Sequence, residues 1–138
     1  MRITLESDYA LRILYALAIK NSVVDAKTLS EDTSVTPRFT LKILHKLVNA
    51  SLVSSFKGVN GGYKLKRSPE KITLKEVIEL IDGPIAMLRC LDSKECCSLN
   101  KDKSTCAYHQ IFDIISLDVA KKLSGITIQD VIDKNYTV

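Results

Sequence analysis

The fold is decided by residues 36–67, which read TPRFTLKILHKLVNASLVSSFKGVNGGYKLKR. The first part predicts a helix over Thr36–Ala50, because Thr36 can cap its free N–H groups and Pro37 fits the first turn, where no donor is needed. Apolar side chains recur along this helix at spacings of three and four, which predicts one buried face. That face consists of Phe39, Ile43, Leu44, Leu47 and Val48.

The opposite stripe of the same helix is polar and basic. It consists of Arg38, Lys42, His45 and Asn49, with Lys46 beside it. Two short strands are predicted after the helix, over Leu52–Phe56 and Tyr63–Lys66, joined by the glycine-rich turn at 57–62. A buried helix with a basic outer stripe, followed by a basic hairpin, is typical of a winged helix-turn-helix.

Two helices are predicted before this segment, and the second of them is short. Ser7 is expected to cap the first, and Asp25 the second, which should end near Asp32. Residues 33–35 then form the tight turn of a helix-turn-helix motif. The buried face of the first helix is expected to contain Tyr9, Ala10, Ile13, Leu14, Leu17 and Ala18.

The second half of the chain predicts further helices. Thr73 and Glu76 have the spacing of a capping box for a fourth helix that ends near Gly83, and Thr127 is expected to cap a short last helix. A long helix is predicted from about Thr105 to Leu123, and it is nearly continuously apolar over 111–119. One small domain does not need so wide an apolar surface, so we expect a second copy of the chain to cover it.

These predictions combine into one architecture. The chain should be mainly α-helical with a small β-hairpin wing. A winged helix-turn-helix DNA-binding domain is expected over 1–83. The remainder, 84–138, should hold a cysteine loop and a long C-terminal dimerisation helix.

The charge distribution indicates a nucleic-acid surface. Residues 33–69 contain seven of the 20 Lys and Arg but none of the 16 Asp and Glu, so the rest of this +4 chain is net acidic. Basic side chains gain affinity for duplex DNA by releasing condensed counterions, and a helix fits the major groove. A small glycine turn could enter the minor groove. The predicted DNA contacts are Thr36, Arg38, Lys42, His45, Lys46, Lys57, Asn60, Gly61, Gly62 and Lys64, against the alternative of a merely solvated surface.

Composition limits the class of protein and its compartment. With 138 residues, 46% hydrophobic and 26% charged, the chain is typical of one globular domain with or without a dimerisation arm. It has no apolar run long enough for a membrane span and no signal-peptide pattern at its start. We therefore expect a cytoplasmic protein with reduced thiols and no membrane partner.

All four cysteines lie within a short segment of the chain. They are Cys90, Cys96, Cys97 and Cys106, and His109 follows the last of them. Thiolates and imidazole bind iron–sulfur clusters and zinc, so a cluster, a zinc site and a thiol switch at the Cys96–Cys97 pair all remain open. A cysteine-dependent redox enzyme or metal carrier without a DNA role would leave the segregated charge unexplained. With only two histidines and no Cys-x-x-Cys, the chain shows no catalytic set, and we expect no enzyme activity.

The chain resembles the Rrf-two superfamily of bacterial transcription regulators. The resemblance is carried by the opening segment 1–12, the helix and strand at 41–55, the wing at 57–65 and the helix start at 72–78. The wing is similar to the family pattern Arg-Gly-Pro-Gly-Gly-Gly-Tyr. It departs from that pattern at Lys57, Val59 and Asn60, where the family has Arg, Pro and Gly.

This resemblance implies a homodimeric regulator, which we expect to be a repressor, whose long helices cross and whose two wings read a palindromic operator on double-stranded DNA. It also implies, as in many members, an iron–sulfur cluster that senses redox state, iron or nitric oxide. Cys90, Cys96 or Cys97, and Cys106 would then be ligands. His109, or Asp8 donated by the second chain, would be the fourth. Both a two-iron and a four-iron form remain open.

Overall fold

The computed structural model describes residues 2–91, 97 and 102–136. Six helices and one hairpin follow one another along these residues, in agreement with the predicted mainly helical fold. They are α1 (Leu5–Lys20), α2 (Ala26–Thr33), α3 (Pro37–Asn49), β1 (Val53–Phe56), β2 (Gly62–Leu65), α4 (Leu74–Asp82), α5 (Ala107–Ser124) and α6 (Ile128–Asp133). Short 3₁₀ turns lie at Pro69–Lys71, Arg89–Leu91 and Lys103–Thr105.

Helix α1 lies at the centre of the core. Its inner side chains, Ala10, Ile13, Leu14 and Leu17, are completely buried. The helix packs against α2, α3, α4, α6 and strand β2, so five elements share it as a common packing partner. Helix α3 contributes Ile43, Leu44 and Leu47 to the same core, as its spacing predicted.

The predicted cap of α1 was wrong. The helix begins at Leu5, and its cap is Thr4 rather than Ser7. The hydroxyl of Thr4 accepts the backbone N–H of Ser7 at 3.3 Å. Ser7 itself is fully buried. Thr4 is held in place because its backbone N–H and its hydroxyl both donate to the carboxylate of Asp82 at the end of α4. A partner 78 residues away leaves no local signal in the sequence.

One carbonyl group links the two helices of the helix-turn-helix. Asp25 caps α2 as predicted, with its side chain accepting the N–H of Thr28. After α2, Val35 is buried, and its carbonyl accepts hydrogen bonds from the hydroxyls of Ser30, at 2.5 Å, and Thr40, at 3.4 Å. Because these hydroxyls belong to α2 and α3, the shared acceptor fixes the two helices relative to each other.

The wing is an antiparallel hairpin attached to the loop before α2. Strand β1 pairs with β2 in a register that places Phe56 opposite Gly62. Val24 and Tyr63 exchange backbone hydrogen bonds of 2.9 and 2.8 Å, so the loop runs alongside β2. Tyr63 packs against the core.

Helix α6 returns to the first half of the chain. The predicted cap is confirmed, because Thr127 and Asp130 form a reciprocal capping box. Ile128 is buried in the same core as α1 and donates its N–H to the carbonyl of Ile72 at 2.9 Å. The division of the chain at 83/84 stays a prediction.

The cap of α4 is only half of the expected box. Thr73 accepts the N–H of Glu76 at 3.2 Å, as predicted. The carboxylate of Glu76 instead pairs with the guanidinium of Arg67 at 2.5 Å. A charged partner nearby therefore replaces the return bond to the backbone.

Helix α5 is attached along a narrow strip. Ser116 is its one buried residue among those described; it accepts the N–H of Met87 at 3.1 Å and donates to the carbonyl of Phe112. Several apolar side chains on the outer side of the helix are exposed to solvent. They include Tyr108 (71% exposed), Ile111 (52%), Ile114 (67%) and Leu117 (62%). None of the described helices is both long and apolar enough to span a bilayer.

The Thr4–Asp82 contact predicts a pH-dependent contribution to stability. Burial raises the pKa of the Asp82 carboxyl, but the hydroxyl and N–H of Thr4, with smaller contributions from Ser7 and Lys46, together hold the pKa below its ordinary value. The contribution is therefore complete above the unfolded-state pKa of about 3.9 and is lost as the pH falls through the folded-state value. We expect Asp82→Asn to lower the free energy of unfolding at neutral pH by on the order of 1 kcal/mol, since the pair is exposed.

Urea unfolding of the wild type, Asp82→Asn and the exposed-site control Glu31→Gln over a pH series checks this. The gap between the wild type and Asp82→Asn should narrow below about pH 4. A gap of constant size, or one equal to that of the control, would contradict the assignment.

Candidate nucleic-acid interface and cysteine segment

Helix α3 presents the predicted polar stripe to solvent. Arg38, Lys42, His45 and Asn49 are all exposed, on the side opposite the buried Ile43, Leu44 and Leu47. The amide of Asn49 lies 3.3 Å from Nδ1 of His45, one turn earlier. Thr36 occupies the cap position and is exposed, but its side chain makes no capping hydrogen bond, contrary to expectation.

Phe39 was predicted to be buried, and this was wrong. It is 43% exposed and contacts the ring of Tyr9 edge to face, with the ring centroids 6.1 Å apart. Thr40 takes the buried place instead, because its hydroxyl can donate to Val35. The inner stripe of α3 thus runs through Thr40, and Phe39 lies at its margin against α1.

Two of the predicted DNA-binding lysines already have an acidic partner. The carboxylate of Glu6 lies 3.1 Å from Nζ of Lys42 and 2.7 Å from Nζ of Lys46. The contact with Lys46 is the main reason why the pKa of Glu6 lies below its ordinary value; partial burial opposes this shift, and Lys42 adds to it. The pattern of α3 alone could not reveal this pairing, since Glu6 belongs to α1.

The remaining positive charge is concentrated at the start of α3 and along the hairpin. Within the described part of the chain, four basic residues of the basic segment 33–69 have no acidic partner: Arg38, Lys57, Lys64 and Lys66. Lys57 is exposed near the wing tip, whereas Lys64 is partly buried on β2. This distribution favours a phosphate-binding surface that spans the wing and α3, the expected DNA-reading helix (called the reading helix below).

The wing turn depends on close backbone packing. The N–H of Gly61 donates to the carbonyl of Gly58 at 3.0 Å, and Asn60 is exposed beside it. A Cβ at Gly61 would lie 2.4 Å from the carbonyl oxygen of Phe56, and one at Gly62 would lie 2.5 Å from that of Val24. The two glycines are therefore needed to close the turn and to dock the wing, whatever they contribute at DNA.

Three of the four cysteines in the cysteine segment, residues 90–106, belong to the described part of the chain. Cys90 is in the turn Arg89–Leu91, and Cys106 immediately precedes α5. Both thiols, and that of Cys97, are free and partly buried. His109 is also partly buried, one turn into α5. Cys96 lies outside the described residues.

Asp8, the candidate ligand on α1, has a different partner in the single chain. Its carboxylate pairs with the guanidinium of Arg12 at 2.6 Å. Arg12 in turn lies over the ring of Tyr9, 5.6 Å from the centroid. Asp8 thus begins a series of contacts that continues through Tyr9 to Phe39 on α3.

The donor types fit an iron–sulfur cluster. Three free thiols with partial burial, together with an imidazole, provide the thiolate and nitrogen ligands that such clusters and zinc accept. In the described ranges, no three His, Cys, Asp or Glu side chains are grouped closely enough to hold a metal ion. The ligand set thus stays a prediction for Cys90, Cys96, Cys97, Cys106, His109 and Asp8.

Sequence comparison matches this chain to known regulators. The profile of the Rrf2 family, described as an iron-dependent transcriptional regulator, matches residues 3–134. The HTH-type transcriptional regulator NsrR of Bacillus licheniformis is 31% identical over 97 residues, which cover 69% of this chain and 68% of the relative.

Comparison with solved structures gives the same fold. IscR of T. potens superposes with a TM-score of 0.77 at 19% identity, over 97% of this chain and 88% of that one. CymR of B. subtilis, a global cysteine regulator, gives 0.79 at 23% identity over 98% of both chains. The winged-helix prediction is thereby confirmed.

The packing of the wing gives a testable prediction at Gly62. We expect Gly62→Ala to cost about 1–3 kcal/mol of unfolding free energy, because the added Cβ overlaps the backbone of Val24. Thermal unfolding, with Val59→Ala at the fully exposed wing tip as the matched control, measures this cost. An alanine variant at 62 as stable as the control would show that the wing is not docked against Val24.

Proposed function

Because the chain belongs to the Rrf2 family of DNA-binding transcriptional regulators, we propose that it acts as a homodimer that represses transcription from palindromic operators in the bacterial cytoplasm. Its activity is set by an iron–sulfur cluster that responds to redox state, iron or nitric oxide. The observation that supports this proposal is that one small chain combines two features. Four basic residues of α3 and the hairpin have no acidic partner within the described residues, and three free, partly buried thiols lie between positions 90 and 106.

The proposed dimer rests on the exposed surface of α5. Ile111, Ile114 and Leu117 are each more than half exposed, although α5 is one of the longest helices in the chain. Burying such side chains contributes roughly 25 cal/mol per Å² of apolar surface. A second α5 crossing the first supplies a matching surface and places two reading helices on one duplex. Two-fold symmetry then requires a palindromic operator, with half-sites one helical turn or a multiple of it apart.

The proposed DNA contacts divide between reading and positioning. Arg38, exposed in the first turn of α3 with no acidic partner in the described chain, is placed to reach guanine acceptors in the major groove. Lys57 at the wing and Lys64 on β2 are suited to phosphates, which fix the register without reading sequence. Asn60 and Gly61 form the small tip that enters the minor groove.

The proposed cluster is held by residues from both ends of the cysteine segment. Cys90, Cys96 or Cys97, and Cys106 supply thiolates, and His109 or the Asp8 of the second copy completes the set. When bound, the cluster supplies a centre that oxidants or nitric oxide can destroy. Cys106 lies directly before α5, and Ser116 ties that helix to Met87, three residues before Cys90.

Asp8 offers a route from this segment to the reading helix. In the single chain it pairs with Arg12, whose guanidinium covers Tyr9, and Tyr9 contacts Phe39. If Asp8 instead binds the cluster of the second copy, Arg12 loses its partner and the Tyr9–Phe39 contact can shift. Cluster loss would then change the populations of two arrangements of α3.

Two alternatives use the same residues. Zinc would be held by the same thiolates and imidazole without redox sensing. A thiol switch is favoured by the free state of Cys97, which is adjacent to Cys96 in sequence, and by the similarity to CymR, a cysteine regulator. All three keep the DNA-binding role of α3 and the wing.

Metal analysis of protein purified without oxygen separates these proposals. We expect a coloured dimer with iron and acid-labile sulfide in equal amounts, and we expect Cys90→Ala and Cys106→Ala each to abolish both. Thr105→Ala, next to Cys106 but without a ligand atom of this type, is the matched control. Zinc bound in place of iron, or colourless protein with no iron after reconstitution, would overturn the cluster.

A further inference from the structure

Glu6 forms ion pairs with two lysines of the reading helix at the same time. It lies in the first turn of α1, and its carboxylate is 3.1 Å from Nζ of Lys42 and 2.7 Å from Nζ of Lys46. The Glu6 side chain is only 21% exposed, whereas that of Lys42 is 54% exposed. The carboxylate is therefore largely enclosed, while Lys42 stays accessible to solvent.

The position of Glu6 is fixed by its neighbours in the chain. Thr4 caps the helix and is itself anchored on Asp82, and Ser7 is fully buried. Glu6 is therefore held against α3 by the core and the cap. A carboxylate presented in this way needs little further ordering to hold the lysines.

Carboxylate and DNA phosphate are both anions that a lysine ammonium binds through charge-assisted hydrogen bonds. Given the DNA-binding role described above, we propose that Glu6 is an internal competitor of DNA phosphate for Lys42 and Lys46. In the free protein it neutralises part of the reading helix, so these lysines reach a duplex only by giving up Glu6. Affinity for duplex DNA of any sequence is lowered accordingly.

This competition bears on specificity. Lysine–phosphate contacts contribute to binding at every site, whereas base contacts from Arg38 depend on sequence. Arg38 has no acidic partner within the described residues, so Glu6 acts on one class of contact and not on the other. Glu6 thereby reduces the share of binding that is independent of sequence.

The test compares Glu6→Gln with the wild type on a duplex of arbitrary sequence, about three helical turns long, by fluorescence anisotropy over a salt series. Glutamine keeps the size of the side chain but removes its charge. We expect binding about two- to fivefold tighter, in keeping with the strength of exposed ion pairs. The slope of log affinity against log salt should also steepen, by up to about 0.9 for each phosphate newly contacted.

Two further variants isolate the effect. Glu70→Gln makes the same change in net charge at an exposed residue that forms no ion pair within the described chain. It should tighten binding less than Glu6→Gln. In a Lys42→Gln/Lys46→Gln background, Glu6→Gln should have no more effect than Glu70→Gln. Thermal unfolding of each variant verifies that it is folded at the assay temperature.

The outcomes are distinguishable. A Glu6→Gln protein that binds as the Glu70→Gln control does, or more weakly than the wild type, overturns the competition while leaving the DNA-binding role intact. An effect of Glu6→Gln that persists without the two lysines also overturns it. Failure of the wild type itself to bind any duplex would instead overturn the proposed function.

Discussion

The apolar face of α1 lies at the centre of the molecule, where Ala10, Ile13, Leu14 and Leu17 are inaccessible to solvent. Each large aliphatic side chain buried in this way contributes about 1.5–3 kcal/mol. Because α2, α3, α4, α6 and β2 all pack against this helix, its position sets that of the reading helix and the wing. The first turn of α1 consequently contacts elements that are remote in sequence.

The outer residues at the start of α1 form ion pairs and hydrogen bonds. Glu6 pairs with two lysines of α3, Asp8 pairs with Arg12, and Thr4 is held by Asp82. One short segment thus touches the reading helix, the end of α4 and a candidate ligand position. In the proposed regulator, changes at the cysteine segment can alter DNA binding through this first turn of α1. The turn belongs to the core, contacts the reading helix and carries the candidate ligand Asp8.

Local patterns predicted most of the elements, because caps, periodicity and turn residues act over a few positions. The bounds of α3, the Asp25 cap and the Thr127 box follow from such signals. What sequence reasoning missed depends on distant partners. The Thr4 cap needs Asp82, and the pairing of Lys42 and Lys46 needs a glutamate in another helix. The margin position of Phe39 follows from its contact with Tyr9, which the helical period alone does not specify.

The proposed regulator depends on two copies of this chain reading DNA as a symmetric pair. Selection of bound sequences from a pool of random duplexes, followed by measurement of the mass of the complex on the enriched duplex, tests this directly. We expect a palindrome with half-sites one helical turn or a multiple of it apart, occupied by two chains. Enrichment of a single asymmetric site bound by one chain, or no enrichment at all, would contradict it.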